Sequence, residues 1–68
     1  MRKLHDALET RRVIVALRTD DGAKSFDNAD QVYVSEDGRH VIVHSVLPNG
    51  RRMVNTFTNV VSMIITGV

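Results

Sequence analysis

At 68 residues and without cysteine, the chain has length for one small domain and no means of stabilising it through disulfides or thiolate metal sites. A domain of about 60 residues buries only roughly 60% of the surface its unfolded form exposes, so self-association is the expected source of further stability. Nine Lys/Arg against eight Asp/Glu leave a net charge of +1, too balanced for the electrostatic footprint of a general nucleic-acid binder.

Residues 2–10 open the chain with Leu4, Ala7 and Leu8 at i, i+3 and i+4, a narrow apolar stripe that predicts a short helix. A helix of this length is marginal alone and must dock on something. Its start is basic, but no long apolar run or small-residue cleavage site follows. A signal peptide is therefore not expected. Nor does any segment approach the roughly 20 apolar residues of a membrane-spanning helix, and with no cysteine the expected location is cytoplasmic.

A strand is predicted over 12–19, where Val13-Ile14-Val15-Ala16-Leu17 is mainly β-branched. The next spans 23–35 with a break at 27–30, because Asp27, Asn28 and Asp30 are turn formers and fit either a bulge or a second turn. Further strands are expected at 39–47, 51–57 and 60–66. Three Asx-Gly pairs (Asp21-Gly22, Asp37-Gly38, Asn49-Gly50) separate the first four of these strands, and such pairs tolerate the positive φ angles of type I′ hairpin turns. The fold class is mainly β. A short N-terminal helix precedes a five-stranded antiparallel meander, folded as a curved sheet or a small SH3- or Sm-like barrel, in a single domain over 1–68.

Three of these strands are apolar on both faces. One face suits the interior; the other needs the helix or a second subunit. A sheet face containing Ile14, Ile42, Val46, Val61, Met63 and Ile65 is the expected contact surface of a homo-oligomer, with a protein partner as a further expectation.

Catalytic signals are weak. His40 and His44 share a strand face but stand roughly 13 Å apart, too far to hold one metal ion, and His5 lies in no HExxH-like pattern. No serine sits in a Gly-x-Ser-x-Gly elbow, and the glycines are accounted for by turns and the chain end. Asp20, Asp21, Asp27 and Asp30 read as turn residues rather than paired carboxylates. No enzyme activity, cofactor or metal is expected. The basic residues are interleaved with acidic ones, although Arg11, Arg12, Arg39 and Tyr33 could form a nucleic-acid-binding surface, Tyr33 being the ring expected at the surface.

Leu4-His5-Asp6-Ala7-Leu8 followed by Arg12-Val13-Ile14-Val15-Ala16-Leu17 is similar to the helix and first strand of the Sm/Hfq family of RNA-binding barrels. Met53-Val54-Asn55-Thr56 and Val60-Val61-Ser62-Met63-Ile64-Ile65 resemble that family's last two strands. The resemblance covers the two ends; Ala23-Lys24-Ser25-Phe26-Asp27 stands where the family's second strand carries a glycine. It implies a ring-forming RNA binder. The residue patterns themselves favour a small non-enzymatic interaction module that self-associates, of a kind suited to accessory roles in bacteria or phages, with a small RNA- or DNA-binding barrel of Sm-like type as the alternative.

Overall fold

The computed structural model describes residues 1–6 and 12–67, the side chain of Asp6 excepted. Six strands follow in chain order: β1 (Arg2–Asp6), β2 (Val13–Thr19), β3 (Gly22–Val34), β4 (Val41–Val46), β5 (Arg52–Phe57) and β6 (Val60–Gly67). They form one antiparallel sheet in the order β5-β4-β3-β2-β6, with β1 added to β3.

The N-terminal helix is corrected. Residues 2–6 are a strand, and the rest of the predicted helix, 7–10, lies outside the described residues. β1 pairs with the second half of β3 (Arg2 with Val34, Asp6 with Gln31), while β2 pairs with the first half (Val13 with Ala29, Thr19 with Gly22). The two therefore lie end to end along one edge of β3. A helix at 2–6 would leave that length of edge with bare N–H and C=O groups, and the short apolar stripe offers little burial in exchange.

β3 is continuous, and the 27–30 break resolves as bulges rather than a turn. Val13 and Val15 face Ala29 and Phe26 across β2, so β3 carries one extra residue there. Across β4, Ala29 and Gln31 face Ser45 and His44, so another extra residue falls at Asp30. Bulges bend a strand and sharpen its twist. Consecutive residues Ala29 and Asp30 are both buried as a result.

The sheet is open rather than a closed barrel, and it is not a simple meander, because β6 returns to pair with β2. β5 and β6 stand at opposite ends of the strand order, yet only Thr58 and Asn59 join them. Two linking residues reach at most about 11 Å, so the sheet must curl until its two ends meet at one corner. Asn59 turns that corner at φ 56°, a left-handed conformation that asparagine tolerates. Val60 N–H then bonds the Arg39 carbonyl at 2.9 Å.

All three Asx-Gly pairs lie at turns, but only their glycines take positive φ, so type I′ geometry is not formed. At Pro48-Asn49-Gly50, Gly50 N–H bonds the Leu47 carbonyl and Leu47 N–H the Arg51 carbonyl. With Gly50 at φ 84°, this is the three-residue hairpin loop that ends in a left-handed glycine.

The interior is lined by Val13, Val15, Leu17, Ala29, Val32, Val34, Val41 and Val43, with Phe26, Phe57, Val60, Met63 and Ile65 packed against them. Phe26 on β3 meets Phe57 on β5 at 5.7 Å between ring centroids, across the inside of the curl.

Candidate interaction surface

An interior strand has a partner on each side; among the described residues β1 pairs only with β3, β5 only with β4 and β6 only with β2. The outer edges of β5 and β6 offer backbone donors and acceptors to a further strand. They also carry exposed apolar side chains: Val54 on β5 is 55% exposed, and Val61 and Ile64 on β6 are 72% and 66% exposed.

The residues expected to form one contact face are distributed differently. Met63 and Ile65 pack against the core. Val61 is exposed, whereas Ile14, Ile42 and Val46 are half-buried. Ile14 faces Thr66 across the β2–β6 ladder, Ile42 lies between Tyr33 and Thr56, and Val46 faces Arg52. The six do not make one continuous patch. Two features cause this: Ile65 and Met63 face Val15 and Leu17, which puts them on the inner face opposite to Ile14, and the register slips at Val61 between Arg18–Ser62 and Thr19–Val60, so Val60 turns inward and Val61 outward.

Arg12 is exposed just before β2, and Arg39 is exposed in the β3–β4 loop. The Arg39 carbonyl bonds Val60, which faces Thr19, so the two arginines lie at opposite ends of β2, roughly 20 Å apart at strand spacing. Arg11 is outside the described residues. Tyr33 is half-buried on the outer face of β3. The Lys3 ammonium stands 5.5 Å from its ring centre and the His44 ring 5.6 Å away, while its hydroxyl bonds Gln31 Oε1 at 2.9 Å. Lys3, Tyr33 and His44 thus join β1, β3 and β4 across one outer surface.

Asp30, a turn former by residue type, lies instead in the β3 bulge and forms an ion pair. Arg52 Nη1 donates to its Oδ2 at 2.6 Å, linking β5 to the β3 bulge, with the carboxylate largely buried and Arg52 51% exposed. Its position in step with Val32 and Val34 was the signal available in the sequence, since i, i+2 and i+4 share a strand face. Asp30 Oδ1, Ser45 Oγ and Asn55 Nδ2 are buried polar atoms with no hydrogen-bond partner, on three adjoining strands.

In the β3–β4 loop, Asp37 accepts bonds from the Ser35 hydroxyl and the Arg39 N–H. These, the hydroxyl first, hold its carboxyl below the ordinary value of 3.8. The loop adjoins an open hollow of ≈ 570 Å³ whose lining includes Asp20, Asp37, Arg39, Asn59 and Val61. Asn59 Nδ2 reaches Asp20 Oδ2 at 3.4 Å. Among the described residues no cluster of three or more His, Cys, Asp or Glu could hold a metal ion, and no helix is long and apolar enough to cross a membrane.

Comparison with protein-family models, with curated proteins and with solved structures finds no match for this chain.

Proposed function

We propose that the chain is a small non-enzymatic interaction module that self-associates and presents the assembled sheet to a protein partner. The observation that carries this reading is the outer edges of β5 and β6, which have no further strand among the described residues and bear exposed Val54, Val61 and Ile64. An apolar edge gains from burial and from ladder bonds at the same time.

Absolute mass in solution, measured by light scattering at low and high salt, is the test. The expected result is an integral multiple of the 7.6 kDa chain mass that persists at high salt, because apolar contact and backbone pairing are not screened. A single-chain mass at every concentration overturns it.

The second reading, a small RNA- or DNA-binding protein that uses an open sheet in place of the expected Sm-like barrel, is favoured by the Lys3–Tyr33–His44 surface, where an aromatic ring lies beside a cation. It requires salt-sensitive binding of a single-stranded oligonucleotide that is lost in Tyr33→Ala.

A further inference from the structure

Of the three strands with a single partner among the described residues, β6 is the least guarded; β1 carries Arg2, Lys3 and Asp6. Natural edges are protected by charges, prolines and bulges. Residues 60–67 contain no charge and no proline, and the single register slip falls at the start of the strand. β5, by contrast, begins at Arg52, directly after Arg51. With Val60 N–H bonded to Arg39, the free edge of β6 begins at Val61.

Beyond the slip, Ser62, Ile64 and Thr66 are exposed, while Met63 and Ile65 turn toward the core. Outward from Ile64 in either direction the residue types repeat, first a half-buried apolar side chain and then an exposed hydroxyl. An antiparallel pair of identical strands sets such positions against each other. With a twofold axis at Ile64, Ile64 meets itself, Met63 meets Ile65, Ser62 meets Thr66 and Val61 meets Gly67. Opposed hydroxyl and apolar pairs of this kind each favour pairing. An axis one residue earlier, at Met63, sets Ser62 against Ile64; an axis between residues sets core-side chains against outer ones.

We propose that β6 pairs antiparallel with β6 of a second copy, about a twofold axis at Ile64, so that one sheet runs through both subunits. The inference rests on the self-association reading and specifies its geometry. It is isologous, each copy contributing the same strand. The half-buried Met63 and Ile65 of the two copies then continue the core across the interface.

The chain has no cysteine, so single thiols report the axis directly. In this arrangement the two copies of residue 64 have Cβ atoms about 5 Å apart, whereas the two copies of residue 62 are about 13 Å apart along the strands. Parent mass by light scattering is measured first, followed by oxidative cross-linking of Ile64→Cys and Ser62→Cys. The expected result is a two-chain mass, with Ile64→Cys forming covalent dimer at least tenfold faster than Ser62→Cys. Ile64→Lys, which sets two ammonium groups against each other, is expected to give a single-chain mass with the parent's circular dichroism; if that variant unfolds, the cysteine pair still decides. A multi-chain parent whose two thiol variants cross-link equally fast overturns the β6 axis and leaves self-association standing. A single-chain parent overturns both.

Discussion

The centre and the ends of the sheet are built from the same residue types and end in different environments. Val43 on β4 is fully buried, and so are Val15 on β2 and Val32 on β3, whereas Val54 on β5 and Ile64 on β6 are mostly exposed. Each lies on an alternating strand with apolar neighbours. The first difference is the face: Val15, Val32 and Val43 line the inside of the curl, whereas Val54, opposite His44, and Ile64, opposite the exposed Ala16, lie on the outer face. Strand order adds to it, because β2, β3 and β4 have partners on both sides, while β5 and β6 each have one among the described residues, and even their inner-face Phe57, Met63 and Ile65 are only half-buried. Apolar content therefore measures how much burial a strand seeks, and position in the ladder measures how much one chain can supply. The apolar surface left over is what the proposed self-association would bury.

Removing the same atoms from both regions tests that comparison most severely. Val43→Ala empties space at the centre and is expected to cost about 2–3 kcal/mol, from lost transfer energy and the cavity left behind. Val54→Ala at the edge is expected to cost less than about 0.5 kcal/mol in the isolated chain. Urea unfolding of both variants checks this, and equal losses would mean that the two regions are packed alike.

A smaller effect is expected where the regions are tied together. Arg52→Ala removes the counter-ion of Asp30 and leaves a buried carboxylate unpaired, expected to lower stability by about 1–2 kcal/mol, a value kept modest because Arg52 is half-exposed. Asp30→Asn in the Arg52→Ala background should recover part of the loss, since the amide carries no charge to strand. Failure to recover would place the energy of the link elsewhere.

The smallest effect concerns the β3–β4 loop, away from both regions. Asp37 has a lowered pKa in the folded chain, so its contribution is present above the ordinary value of 3.8 and is lost as pH falls through the lower folded value. The Arg39 amide resonance, which reports the bond to Asp37, should titrate with a midpoint below 3.8. A midpoint at or above that value would show that the Ser35 and Arg39 bonds do not persist in solution.

Five of the six strands were legible from alternation and turn chemistry. Gly22, Gly38 and Gly50 all mark turns, and the predicted strands at 12–19, 39–47, 51–57 and 60–66 fall within two residues of β2, β4, β5 and β6. β1 was not legible, because Leu4, Ala7 and Leu8 fit a helical stripe and nothing local announces that the edge of β3 needs a partner there. The bulges were half legible: 27–30 stood out as irregular, but turn formers are compatible with a bulge or a turn until the neighbouring strands set the register. The slip at Val61 was invisible, since Val60 and Val61 are identical, and it decides that Val60 rather than Val61 packs on the core. The Arg52–Asp30 link joins residues 22 apart in sequence and depended on that unseen geometry.

The sequence by itself determined a mainly β, antiparallel chain and the places where it turns, because alternation and left-handed glycines act within a few residues. Strand order, the open curl, the face each residue presents and which strands lie at an edge were decided only in the tertiary structure. Those properties depend on which backbone groups find partners across the sheet, and a single bulge is enough to reverse a face.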